Sequence, residues 1–398
     1  MLRQAPKMRL TRASVLWDGE MQNRSVSLAN GCIDQGCYPE IDLSGYYLLP
    51  GIIDLHGEVF ERHIAPRSNI RFAIATGLQA TDCDAASSGI TTAWLAQSWS
   101  SVGGHRSPDY AEQLLQEFEI YRNFAQTDLR VQLRCETHMI EMEDRLLAAI
   151  RRHSIDYVVF NNHLNEALAK ITDSHENLQN WATGAGENVE QFKSHILLLG
   201  TNKNYVPSYL RRLAEAFESL QVTYGSHDDP DGETREYFSM LGAKICEFPM
   251  SQQAAKVAKA NGNPIIMGAS NVVRRGSCNG NISAIDLIRA GLCDALVSEY
   301  YYPALSQAAF HLVDNKILSL PEAWALISVN PANIMQLQKL GRIEVGNCAD
   351  LTVINIRTRN IEATIRGGCI TYLAGGAASR FLSVPLNRNT RDQDIAAA

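Results

Sequence analysis

Several things are missing from this 398-residue chain, and each absence removes a class of protein. The nine cysteines contain no Cys-x-x-Cys pair, so neither a zinc ribbon nor a disulfide scaffold is indicated, and a reducing compartment is the simpler expectation. No segment approaches the about 18 consecutive apolar residues of a membrane-spanning helix. The first twenty residues, MLRQAPKMRLTRASVLWDGE, lack the apolar core of a signal peptide. A soluble cytoplasmic protein with no membrane partner is the expectation. Basic excess is absent as well: 36 Lys and Arg stand against 43 Asp and Glu, a formal charge of -7, which gives no support to non-specific nucleic-acid binding. With 45% hydrophobic and 20% charged residues, disorder, collagen and coiled coil are excluded.

What is present falls into two textures. The first fifty residues read as short strands broken by Asp, Gly, Asn and Ser, at Leu10–Leu16, Val26–Leu28 and Tyr46–Leu49. The same texture returns after Gly341, where Asp350 leads into an apolar strand and IEATIRGGCITYLAGG reads as two strands around a Gly-Gly turn. Neither end has enough strands for a core of its own, so residues 1–51 and 341–398 are expected to combine into one small β-sandwich domain. Between them, residues 52–340 alternate apolar strands with helices. The strands are Ile52–Leu55, Thr91–Leu95, Val131–Cys135, Tyr157–Phe160, Val222–Tyr224, Lys244–Phe248, Pro264–Met267 and Ala295–Val297. Ser107-Pro108 is a helix start, Ser283–Ala290 a short helix, and Pro321–Val329 another that should end before Asn330-Pro331. Eight β/α units of this length predict an α/β fold, a (β/α)8 TIM-like barrel. The polar stretch Thr172–Tyr205, after the fourth strand, is a candidate lid.

The polar residues sit where such a barrel would place its mouth. Asp54, His56 and Glu58 close the first strand, Glu136 the third, His163 follows the fourth, His227 with Asp228 and Asp229 ends the fifth, and Glu299 closes the eighth. His56 and Glu58 are two residues apart, so an extended strand end points both to one side. Imidazole with carboxylate suits zinc, and also manganese, iron, cobalt or nickel. Glu136 could bridge two ions, with His163 and His227 completing the second. A basic, glycine-rich group lies nearby: Arg62, His63 and Arg67 after the first strand, then Arg274, Arg275, Cys278 and Asn281 after the seventh. Loops there often hold phosphate in barrels, although RGSCNGN lacks the Gly-Lys-Ser/Thr ending of a P-loop. Tyr300, Tyr301 and Tyr302 could line the mouth or fill the core.

These motifs carry a resemblance. LPGIIDLH near residue 50 with NPA and GRIEVGNCADLTVI near residue 340 resembles the amidohydrolase superfamily. The ordered series DLHGEVFERHIAPR, DAASSGITTA, LRCE, GSHDD, EFP and MGASNVVRRGS, with the SEYY segment, is similar to its diphosphatase branch in carbon–phosphorus lyase metabolism. The resemblance implies two divalent metal ions, zinc first, at His56, Glu58, Glu136, His163, His227 and Glu299. It implies a small phosphorylated partner contacted by Arg62, His63, Arg67 and Arg274, with Asp54, Asp228 and Asp229 as supporting groups. The reaction implied is cleavage of a ribosyl 5-triphosphate to the 5-phosphate and pyrophosphate, with His227 and Glu299 as catalytic groups and Glu299 taking the proton. A homo-oligomer is compatible with all of this. The sequence departs from the family at Glu58 and Glu299, where aspartate is usual, and at Cys83 and Cys278, which take histidine positions on the expected substrate side. A hydrolase or deaminase acting on a small amide or cyclic C–N compound, and a non-catalytic binding protein on the same scaffold, are the alternatives.

Overall fold

The computed structural model describes residues 5–384 apart from 68–69, 102, 163, 165–167, 169–178, 180–181, 183–186, 275 and 277–280. Strands from both ends of the chain do share one sheet. β1 (Met8–Trp17), β2 (Glu20–Ala29), β3 (Cys32–Asp34), β4 (Glu40–Asp42) and β5 (Tyr46–Pro50) come from the first part, and β14 (Leu351–Asn355), β15 (Ile361–Arg366) and β16 (Cys369–Leu373) from the last. Their order is β16-β15-β14-β5-β1-β2-β3, with β4 also pairing β1. β1 changes partner along its length. Its start runs parallel to β4 and its end parallel to β5, and the irregularity between Leu10 and Ala13, where Arg12 has φ 60°, makes the switch. The Gly367-Gly368 turn joins β15 to β16 with both φ values positive, 53° and 73°, a conformation that glycine adopts without steric cost.

The second sheet is the barrel. β6 (Ile52–Gly57), β7 (Ile90–Trp99), β8 (Asp128–Glu136), β9 (Tyr157–Asn161), β10 (Thr223–His227), β11 (Ile245–Glu247), β12 (Ile265–Gly268) and β13 (Ala295–Val297) follow one another in chain order, and their pairings are parallel. Helices lie between most of them. The one at Pro108–Tyr121 starts as its sequence indicates, with the Ser107 hydroxyl accepting from Tyr110 N–H and proline in the first turn. Side chains of alternating parity go to different cores. Ile53, Tyr157, Val159, Ile245, Ile266 and Val297 pack together in the lumen, while Ile52, Val158, Phe160 and Leu296 join the shell beneath the helices.

One helix differs from expectation. The segment predicted as Pro321–Val329 is two helices, Leu320–Ala325 and Val329–Ile334, and Pro331 lies inside the second. The first-turn N–H groups of a helix have no partner within it, so proline at its third residue forfeits no hydrogen bond. The first part of the candidate lid, up to residue 186, lies mostly outside the described residues. The described end of the stretch is the helix Val189–Thr201, with a capping box between Asn188 and Gln191.

The barrel closes through its own mouth. Gly57 and Glu299 form a parallel bridge, Glu299 N–H donates to His56 O at 3.0 Å, and Glu58 N–H donates to Glu299 O at 2.5 Å. Below this seam the buried Asp54 carboxylate accepts from Ser298 N–H at 3.0 Å and from its hydroxyl at 2.5 Å. The residue that completes the ring is therefore also one that carries a carboxylate into the mouth.

Candidate active site

A cavity of about 320 Å³ opens over the C-terminal ends of the barrel strands, lined among others by His56, Glu58, His227, Asp228, Arg274, Asn281 and Glu299. A larger cleft of about 490 Å³ lies beside Pro50 and Gly341–Val345, but its lining holds neither histidine nor cysteine. The chemistry is in the smaller one.

Its floor is a polar layer directly above the apolar lumen. Glu247 sits two residues beyond Ile245 on the same face of β11 and is fully buried. It is held on three sides: His56 Nδ1 lies 3.0 Å from one oxygen, while Gln132 at 2.7 Å and the Tyr157 hydroxyl at 2.5 Å donate to the other. Register slips between Asp54 and Gly57, so β6 is irregular where His56 enters this layer. Burial alone would lower the pKa of His56, but the Glu247 carboxylate overrides it and pushes the imidazole up to about 9. The opposite holds at His227, where burial wins and the pKa falls.

His56, His227 and Glu247 each offer a ligand atom, all within 4.8 Å of one another. Both ring nitrogens of His227 are buried without a hydrogen-bond partner; Nδ1 is 2.9 Å from an Asp228 oxygen but not aligned for a hydrogen bond. Buried polar atoms are rarely left unsatisfied, and an uncharged imidazole with a free lone pair beside a second histidine and a carboxylate is a divalent-cation donor set. The residues fit a metal ion.

Above this floor, Glu58 caps the helix Val59–Ile64 and pairs with the buried guanidinium of Arg134 on β8. Burial would raise the Glu58 pKa, but Arg134 and His56 together hold it well below the usual carboxylate range. Glu299 has no such partner in charge, and burial pushes it up to about 7. Arg106, from the short turn Gly104–Arg106, and Arg274, whose guanidinium donates to the Tyr300 hydroxyl at 3.2 Å, complete the lining.

The structure spreads the other sequence-predicted residues more widely. Arg62 and His63 are absent from the cavity lining: Asp84 accepts from Arg62 at 2.6 Å and lies 3.2 Å from His63 Nε2, while Arg62 also donates to the Tyr300 carbonyl at 3.3 Å, beside the mouth. Arg67 is exposed and bridges backbone with Ile70. Cys83 is exposed on the helix Ile74–Ser87. Its neighbour Asp82 accepts from Gln126 and Thr127 N–H at the entry to β8, while Asp84 on its other side reaches Arg62. Asp229 does not face the cavity either but pairs with the fully buried Arg235. Tyr300 lines the mouth, whereas Tyr302 is core. Glu136 ends β8, buried, outside the cavity lining. His163, Arg275 and Cys278 lie outside the described residues. The groups missed are Glu247, Arg134 and Arg106. Strand parity signals the first two, through Ile245 and Gln132; no periodic pattern signals Arg106.

The Asp229–Arg235 pair braces the loop that follows His227. Arg235 also donates to Ser226 Oγ at 2.7 Å and to the carbonyls of Ala243 at 2.5 Å and Ile245 at 3.3 Å. Arg235→Met is expected to lose about 3–5 kcal/mol of stability, because it strands a buried carboxylate. Urea unfolding measures this, and a loss below about 1 kcal/mol would contradict it.

No protein-family model matches the chain. It is 28% identical over 369 residues to alpha-D-ribose 1-methylphosphonate 5-triphosphate diphosphatase of Escherichia coli (strain K12), covering 89% of this chain and 97% of that protein. Among solved structures, its fold is similar to N-acetylglucosamine-6-phosphate deacetylase from Pasteurella multocida (TM-score 0.62, 12% identity, 92% of this chain and 100% of that one). It is also similar to dihydropyrimidinase from Brevibacillus agri NCHU1002 (TM-score 0.61, 10% identity, 92% and 95%). Among the described residues no helix is long and apolar enough to cross a membrane. With its parallel barrel, its His-His-Glu cluster and this near full-length similarity, the chain is a metal-dependent hydrolase that resembles the amidohydrolase superfamily.

Proposed function

We propose that this hydrolase cleaves a small ribosyl 5-triphosphate, releasing pyrophosphate and leaving the 5-phosphate. One observation carries the reading: Arg106, Arg134 and Arg274 line the same cavity as His56 and His227. Hydrolysis of an amide or cyclic C–N bond develops charge on one oxygen and has little use for three guanidinium groups. A triphosphate spreads several charges along its length, and arginine grips phosphoryl oxygens well. The E. coli relative, named as a diphosphatase of a ribose 5-triphosphate, supports the same choice.

The residues that would hold a divalent ion, zinc first, are His56, His227 and Glu247; a second ion, at Glu58, Glu136 and His163, rests on the family resemblance alone. Such ions neutralise phosphoryl charge and make water more acidic. The protein's own groups supply the rest. Glu299, with a pKa near 7, takes the proton of the attacking water and can release it again near neutrality. His227, kept uncharged by burial, leaves its lone pair available. Arg106 and Arg274 face the cavity and neutralise the departing pyrophosphate. The eight described cysteines are free thiols, which supports the cytoplasm as the place of action.

The test is a metal analysis joined to a panel of ribosyl 5-triphosphates and cyclic amides. Pyrophosphate release that chelator abolishes and zinc or manganese restores is expected. Glu299→Gln should retain its metal yet lose roughly 10²–10⁴-fold in kcat. Turnover of the amides without pyrophosphate, or activity indifferent to chelator, would sink the reading.

A further inference from the structure

Glu299 is one methylene longer than the aspartate that the family resemblance leads one to expect, and the structure shows where the extra length goes. Gly268, the last residue of β12, is buried directly beside it. A Cβ added at Gly268 would stand 2.6 Å from Glu299 Cδ, and nearer still to Oε2. Heavy atoms do not approach so closely, so an alanine here and the present carboxylate position exclude each other.

Neither backbone is free to give way. Gly268 is in register with Val297 across the β12–β13 ladder. Glu299 is held in the left-handed region, φ 56°, by hydrogen bonds to His56 O and from Glu58 N–H. Its neighbour Ser298 is tied to the buried Asp54. Only the glutamate side chain can move.

We propose that Gly268 is a positioning residue for Glu299: the space left by its missing side chain is the slot in which the longer carboxylate is held at the mouth. Its catalytic consequence rests on the proposed role of Glu299, whereas the slot itself does not. An aspartate at 299 stops one methylene short and leaves the slot empty. Gly268 and Glu299 are therefore coupled, and the coupling has a sign. Gly268→Ala expels the glutamate carboxylate but leaves room for an aspartate.

The experiment is a double-mutant cycle of G268A and E299D, read in two ways. In hydrolysis of a ribosyl 5-triphosphate, G268A should lower kcat by about 10–100-fold with a smaller change in KM, since an ångström of misplacement costs on that order. E299D alone should also lose rate, while the double variant should regain at least about tenfold over G268A. In thermal melting of the metal-free protein, G268A should lower the midpoint and E299D should restore it in that background. Wild-type kcat in G268A, or losses that simply multiply in the double variant, would overturn the proposal. If the wild type hydrolyses no triphosphate, the functional reading fails alone and the melting cycle still decides the slot. If G268A does not fold, recovery of folding in the double variant supports the slot, and failure of both refutes it.

Discussion

His227→Ala is expected to lose its metal and its hydrolytic activity while keeping its fold. Both imidazole nitrogens are buried without a protein hydrogen bond, so removing the ring costs the apoprotein only packing against His56 and Phe248. The loaded protein loses a ligand. Removing a hydrogen-bond partner behind a metal ligand costs roughly 10–100-fold in affinity or activity, and loss of the ligand itself should exceed that. Thermal melting separates the two effects. Zinc at 100 times its dissociation constant should stabilise the wild type by about 2.7 kcal/mol, and the variant by far less. An equal zinc-induced rise in both proteins, with equal metal content, would remove His227 from the site.

Arg134→Met is the second change with a large expected effect. Arg134 is fully buried as a charge, and its partner Glu58 keeps 23% of its side-chain exposure. Breaking a buried pair from one side typically costs 3–5 kcal/mol; the partial exposure of Glu58 puts this one near the lower end, about 3 kcal/mol. Replacing both partners by apolar residues should return most of the stability, because the stranded carboxylate disappears with its guanidinium. It should not return hydrolysis, since both groups line the cavity. Urea denaturation and pyrophosphate release, measured on both variants, provide the check. A stable single variant, or an active double one, would mean that the pair is peripheral.

The scaffold was far more legible in the sequence than the site. The barrel strands are short runs of apolar residues bounded by polar turns, and a buried parallel strand has little other way to be written. Asp54, His56 and Glu299 announced themselves because each falls at such a boundary. The basic residues after the first barrel strand lie outside the cavity lining for a physical reason. Arg62 and His63 follow Glu58 so closely in sequence that a shared site looks natural, yet the chain turns helical at Val59, and their side chains swing to Asp84. Arg134 lies inside β8, two residues short of its end, where no boundary marks it. Glu247 is followed at once by Phe248, whose φ of 51° breaks the strand, so its parity with Ile245 spans a single repeat.

The sheet built from both ends of the chain also sets a timetable for synthesis. β5 pairs β1 on one side within the first fifty residues, but its other side belongs to β14, about 300 residues later. At roughly 5–20 residues per second, the ribosome takes about 15–60 s to cover that distance. The barrel strands, which end with β13 and the bridge at Glu299, emerge within this interval. Until β14 arrives, Tyr46–Pro50 presents an unpaired apolar edge of the kind that recruits other chains. That edge thus stays open through the whole synthesis of the barrel.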